Sequence, residues 1–262
     1  MRRSFHVTLA VAIAASGVGI SAASVSADTK PGPGQVAANR SAQADEAERT
    51  LDAASAAKAG SSSSNAGICS MYVPTRASIT SPYRAINVPL GPNCAEANVE
   101  LAAWEAVHPT QGTQTFMLYD GSSSEPWELY DFDAVGKWSW NPEGAFDANF
   151  EEVAQYGPYS TDVRYGSYGR VTATRSGSKV TVRTTAMRYW AGGSKFIGWS
   201  DARGQIQWRT PGSSTWNGLK EVYSTSTGTY SYTYTTNASR EYRVVLRPMT
   251  YIWESTSPAV RR

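Results

Sequence analysis

The side chains able to do thiol or imidazole chemistry are few: Cys69, Cys94, His6 and His108. His6 falls inside an apparent export leader, which leaves His108 as the single imidazole of the remaining chain. Two cysteines this close in sequence, in an oxidising compartment, are expected to pair as a disulfide; two free thiols are the alternative. Zinc sites draw on four Cys and His ligands, or on two or three histidines with an open position. With the thiols bridged, neither set can be assembled.

Carboxylates are more promising. Glu125, Glu128, Asp131 and Asp133 lie within nine residues and could offer oxygen ligands to calcium. Asp131, Asp133 and Gly136 match the first, third and sixth places of a calcium loop. Val135 then takes the fifth place and Pro142 the twelfth, with Glu143 one residue late, so the segment is no EF-hand. Calcium held in a loop by these acids stays an alternative to a solvated acidic face. The same acids could be a glycosidase pair, but that needs two carboxylates at a fixed separation across a cleft, which the sequence does not supply. A serine hydrolase would need His108 as its base. No serine sits in a Gly-x-Ser-x-Gly elbow, and His108-Pro109 reads most simply as the head of a hairpin turn. Gly192-Gly193-Ser194-Lys195 lacks the spacing of a phosphate-cradling loop.

Binding has more to work with. Nine tryptophans and fifteen tyrosines exceed what two small cores consume. Trp190 and Trp216 fall near expected loops, close to Lys195 and Arg203, and aromatic faces beside cations suit anionic glycans. Trp199 also falls beside an expected loop, as does Lys220, with a core anchor as its alternative reading; Trp208 reads as a core anchor. Charge is divided along the chain: residues 68–160 carry twelve acids against three bases, and 161–262 carry fifteen bases against five acids. The halves are expected to dock on each other in a contact that loosens with salt; head-to-tail association of chains, or a basic half facing an external polyanion, are the alternatives.

These residues need elements to hold them. Arg2 and Arg3, an apolar run over 7–20 and Val25-Ser26-Ala27 form the three parts of a signal peptide over 1–27. The run is too short to span a bilayer, and no later stretch is long and apolar enough to do so. Residues 28–67 are rich in Ala and Ser, contain no aromatic residue, and read as a flexible linker or pro-region. Within them 35–59 could be locally helical, without an apolar stripe to bury.

From residue 68 onward β-branched and aromatic residues alternate with polar ones, and turn residues recur every ten or so positions. That texture predicts an all-β chain of two Greek-key sandwich domains, an acidic one over 68–160 and a basic one over 161–262. Strands are expected at 85–90, 98–108, 113–119, 126–131 and 137–140, with a helical turn or two over 148–155. In the second half they are expected at 170–174, 179–184, 205–209, 228–235, 240–246 and 251–256. Tyr230, Tyr232 and Tyr234 would share one face.

Trp199-Ser200-Asp201-Ala202-Arg203-Gly204, Gln205-Ile206-Gln207-Trp208, Thr215-Trp216 and Arg240-Glu241-Tyr242-Arg243-Val244 carry a family likeness. This half resembles the Ig-like modules of secreted actinobacterial proteins. Tyr242 sits where an Ig-type tyrosine corner would, with Val244 in place of the antibody cysteine. Trp104, His108-Pro109-Thr110-Gln111-Gly112 and Trp138-Ser139-Trp140 resemble the domain that often precedes such a module. The resemblance implies two Ig-like β-sandwich domains and supplies no functional residues, although some relatives carry a calcium-binding label.

The expectation is therefore a secreted, non-enzymatic binding or structural protein acting through its surface. Its partner would be an extracellular polymer, a glycan or a protein, and not nucleic acid. A calcium-binding module is the alternative, and a small hydrolase stands third.

Overall fold

The computed structural model describes residues 31–57 and 68–262. The expected leader at 1–27 lies outside the described residues, as does the serine run at 61–64.

The segment read as a flexible linker or pro-region, with local helix over 35–59, comes first. It forms a 25-residue helix, α1 (Pro33–Ala57). Ala, Gln, Glu and Arg favour the helix, and Pro33 opens it where its missing N–H costs nothing. Its buried side is sparse: Val36, Ala47 and Ala54 are buried and Leu51 is partly so. These positions, together with Arg40, recur at helical spacing. A stripe of alanines with an arginine in its middle does not look apolar in sequence, which is why it reads as a spacer.

The first half contains β1 (Arg76–Ile79), β2 (Tyr83–Pro89), a short helix α2 (Pro92–Glu96), β3 (Val99–His108) and β4 (Gly112–Asp120). It continues with β5 (Ser124–Tyr130), β6 (Gly136–Asp147) and β7 (Tyr159–Tyr165). One sheet runs β1-β7-β6-β3-β4, with β1 parallel to β7; β2 and β5 pair as a separate ribbon. Between them lie Trp104, Trp127, Trp138, Trp140 and Tyr119. Trp127 sits at the centre, 5.4 Å from the Trp138 ring and 5.2 Å from the Trp140 ring. The Cys69–Cys94 disulfide ties the segment before β1 to α2.

The middle of β3, Leu101 to Trp104, is apolar and buried on both faces. Ala102, Trp104 and Ala106 enter the tryptophan core, while Leu101 joins Phe146, Ala54 and Leu51 beneath α1. Gly144 faces this contact with φ +149°, and a Cβ there would lie 3.3 Å from Leu51. The helical turn expected over 148–155 is absent. A tight turn, closed by the Phe150 N–H on the Asp147 carbonyl, leads instead into a stretch in which Glu152 bridges Phe146 and Gln155 bridges Cys69 along the sheet margin.

The second half is a two-layer sandwich. Its strands are β8 (Ser167–Ser176), β9 (Lys179–Trp190), β10 (Lys195–Gly198), β11 (Arg203–Arg209) and β12 (Asn217–Tyr223). They are followed by β13 (Thr229–Thr235), β14 (Glu241–Leu246), β15 (Ser255–Thr256) and β16 (Val260–Arg261). One layer is built on β8-β9-β13, with β10 on the far part of β9. The other runs β12-β11-β14, with β15 and β16 on the outer edge of β14. β8, β9 and β13 on one side and β11, β12, β14 and the short β15 and β16 on the other make an Ig-like sandwich. Trp199, Ile206, Tyr242, Val244 and Leu246 fill it. Trp208 is only partly buried and lies 3.6 Å from the Arg240 guanidinium carbon above its ring.

Tyr242 occupies the predicted corner but bonds differently from a tyrosine corner, which reaches upstream backbone. Its buried hydroxyl meets the Tyr234 hydroxyl at 2.6 Å. Burial and that hydrogen bond push the Tyr242 phenol well above its ordinary range.

The halves meet through the end of β7, the 249–254 segment and the β9–β10 turn. Tyr165 donates its N–H to Tyr251 and accepts from Trp253, and the Trp253 indole donates to Ala77 at 2.9 Å. Tyr189 and Ser194 both donate hydroxyls to the buried Asp131 carboxylate, at 3.0 and 2.7 Å.

Candidate functional site

The outer face of the β12-β11-β14 layer is where the second half gathers exposed polar groups. Alternation on β11 sends Gly204, Ile206 and Trp208 inward and Arg203, Gln205, Gln207 and Arg209 outward. The β11–β14 register sets Arg243 opposite Gln207 and Val245 opposite Gln205. The β11–β12 register sets Tyr223 opposite Arg203 and Glu221 opposite Gln205.

These side chains form one connected chain across the face. Arg247 reaches both oxygens of Glu221 at 3.1 and 3.0 Å, and Gln205 donates to Glu221 at 3.2 Å. Gln207 donates to Gln205 at 3.0 Å, and Arg243 donates to Gln207 at 2.8 Å. Trp216 completes it, with the Arg243 guanidinium carbon 4.2 Å and that of Arg209 4.6 Å from its ring centre. Arg209 in turn pairs with Glu241 at 2.6 Å.

The electrostatics of this end are unusual for a surface. Partial burial, and then the neighbouring positive Arg209, lower the Arg243 pKa from its ordinary value. Two like charges are held against one indole, whose π face compensates part of their repulsion at about 0.5–1 kcal/mol per contact. A planar anion arriving here would meet two guanidiniums already oriented, each able to donate in a fork.

The four residues singled out in sequence for ligand binding divide between two places. Arg203 and Trp216 do lie on this face, near opposite ends of β11. Trp190 and Lys195 lie on the other layer, paired with each other across the β9–β10 turn. Trp190 is exposed, but its ring folds over Gly192 and Gly193, where any Cβ would come within 3 Å of it. Trp216 also differs from its expected role: it positions two arginines rather than offering a bare platform to a sugar ring. Arg209, Gln207, Arg243, Glu221 and Arg247 were not picked out from the sequence. A signal for two of them lies in the period-two run Arg203-x-Gln205-x-Gln207-x-Arg209, which in sequence marks only a strand.

The four acids considered for calcium each have other partners. Glu125 accepts from the Ser122 hydroxyl, and Glu128 accepts from the hydroxyls of Tyr83 and Tyr130. Asp131 takes Tyr189 and Ser194 across the junction. Asp133 takes Arg40 of α1 and the Tyr130 N–H. Among the described residues no three His, Cys, Asp or Glu side chains come together in a way that could hold a metal. His108 accepts the Thr110 N–H on Nδ1 at 3.3 Å and so organises the β3–β4 turn.

A cleft of about 1130 Å³ runs between α1 and the outer face of the first sheet. Glu105 and Glu143 both line it, and partial burial followed by the Glu105 charge raises the Glu143 pKa. The Thr113 hydroxyl donates to Glu105.

No family model matches the sequence, and no curated protein matches it. Solved structures with similar architecture include a cytokine receptor complex, at 12% identity and a TM-score of 0.35, covering 69% of this chain and 94% of that one. The FN1–FN3 domains of chicken CNTN1 match at 10% identity and a TM-score of 0.29, covering 73% of this chain and 65% of that one. The D0–D1 domain of intimin matches at 12% identity and a TM-score of 0.25, covering 74% and 96%. These are likenesses of β-sheet architecture, and no functional argument rests on them.

Proposed function

We propose that this is an extracellular, non-catalytic binding protein whose second sandwich engages an anionic polymer through the outer face of β12-β11-β14. The observation carrying the reading is the pair Arg209 and Arg243, held against Trp216 and braced by Gln207 and Glu241. Guanidiniums fixed in this way lose little freedom on meeting a phosphate or carboxylate, which is the condition for useful affinity from few contacts. The surplus of basic residues in the second half supplies long-range attraction for the same class of partner.

Surface action rather than turnover fits the chemistry. Both cysteines are bridged, the imidazole of His108 holds a turn, and the candidate acids are engaged by hydroxyls, backbone or arginine. Export to an oxidising compartment fits the disulfide. Among the described residues no helix is long and apolar enough to cross a membrane.

The test is a binding titration with polyglycerol phosphate and polygalacturonate, using uncharged dextran as the control. Binding to the two anionic polymers is expected, weakening steeply with salt. The double variant R209A/R243A should lose roughly ten-fold or more in affinity, about 1.4 kcal/mol or above, without loss of folding. Equal binding to dextran, or unchanged affinity in that variant, removes the reading.

A further inference from the structure

Among the described residues of α1, Arg40 is the charged side chain that is largely buried, the others being exposed, and its receiving pocket is built in detail. Its guanidinium donates to both Asp133 oxygens, at 2.7 and 3.0 Å, and to the Glu128 carbonyl at 3.0 Å. Its guanidinium carbon lies 5.5 Å from the centre of the Tyr130 ring. The Asp133 side chain is 2% exposed and that of Arg40 is 16% exposed, so the pair is largely removed from water.

The receiving side is organised independently of the helix. The Tyr130 N–H donates to Asp133 at 2.8 Å, the Tyr130 hydroxyl donates to Glu128 at 3.0 Å, and the Phe132 ring stacks on Tyr130 at 5.1 Å. A bidentate arginine–carboxylate pair in such a setting is strong and geometrically selective. The rest of the helix contact is thin. Small side chains supply most of it, and the cleft of about 1130 Å³ remains between helix and sheet. Attachment therefore rests on the Arg40 pair and a small apolar contact around Leu51 and Ala54, which is the pattern of an element that opens more readily than the core.

We propose that the Asp133 pocket is an arginine socket and that α1 is its exchangeable ligand, filled in cis as seen here and in trans by α1 of a second copy. The exchange is a domain swap of one helix: it needs no contact that the single chain does not already make. Its consequence is that chains link when the cis contact is weakened. This inference concerns the first half and stands apart from the arginine-rich face proposed to bind polyanions in the second.

Two full-length variants test it. Arg40→Ala has an intact socket and a helix that cannot fill it; Asp133→Asn has an intact helix and a crippled socket. Each alone is expected to sediment as a monomer. An equimolar mixture is expected to give a one-to-one complex of twice the mass, absent when the R40A/D133N double variant replaces either partner. A mixture sedimenting as separate monomers at every concentration tried overturns the proposal.

Should Asp133→Asn fail to fold, a labelled peptide of residues 33–57 is titrated into the Arg40→Ala protein. The wild-type peptide should bind roughly ten-fold or more tightly than the same peptide carrying Arg40→Ala. Equal affinity of the two peptides overturns the proposal as well.

Discussion

Arg76 and Glu254 form an ion pair between the two sandwiches at 2.6 Å, and its polarity opposes that of the halves they come from. The basic partner belongs to the acidic half and the acidic partner to the basic half. Bulk attraction between the halves is thus not what this contact expresses. Beneath it lies Trp253, 9% exposed, with the Arg76 and Arg164 guanidinium carbons 3.7 and 4.4 Å from its ring centre.

That arrangement predicts an unequal response to mutation. Arg76 and Glu254 are both well exposed, so Glu254→Gln should cost no more than about 1 kcal/mol. Trp253→Ala removes a buried indole and its bond to Ala77, and should cost about 3–5 kcal/mol. Chemical denaturation of the two variants measures the difference. Raising salt to the molar range should leave the radius of gyration by X-ray scattering unchanged, because buried contacts are little screened.

Tyr189 gives the junction an alkaline limit. Burial first, and then its hydrogen bond to Asp131, push the Tyr189 phenol up to about 12 from an ordinary value of 10. A folded pKa above the unfolded one means that its stabilisation is complete below pH 10 and lost as pH rises toward about 12. Melting temperature should fall across that window. Tyr189→Phe should be less stable than the parent at pH 8 and should close much of the gap by pH 12.

The paired hydroxyls in the second core predict an asymmetry. Tyr242→Phe leaves the Tyr234 hydroxyl with the Arg240 guanidinium, a donor at 3.3 Å, and should cost roughly 0.5–1.5 kcal/mol. Tyr234→Phe leaves the Tyr242 hydroxyl buried without that partner and should cost more, roughly 1–3 kcal/mol. Urea midpoints in the reverse order would falsify this account of the corner.

The Cys69–Cys94 bridge spans a sequence separation of 25. On the chain-entropy model, replacing both cysteines by alanine should cost roughly 3.5 kcal/mol. Thermal melting with and without reductant should show the same loss in the parent, and no reductant effect in the variant.

Much of the β framework was legible because it follows from a two-residue period. β3 matches the expected 98–108 strand within a residue, and the turn at 109–112 closes the predicted hairpin. Tyr230, Tyr232 and Tyr234 share the face that packs on the second core. The helical tendency of 35–59 was legible, but the packing of α1 was hidden because its stripe is alanine and arginine, and its burial depends on a sheet face assembled from residues far along the chain. The segment 148–155 misled in the other direction, since its helical composition yields to bridges with Phe146 and Cys69.

By itself the sequence determined that this chain is β-rich and holds two cysteines close enough in sequence to pair, because those follow from residue type and local spacing. Only the tertiary structure decided that Arg40 belongs to Asp133, and that Arg209 and Arg243 share Trp216. Those pairings join residues from different elements. They are set by strand register and by which face each element can bury, and neither is written in any single stretch of chain.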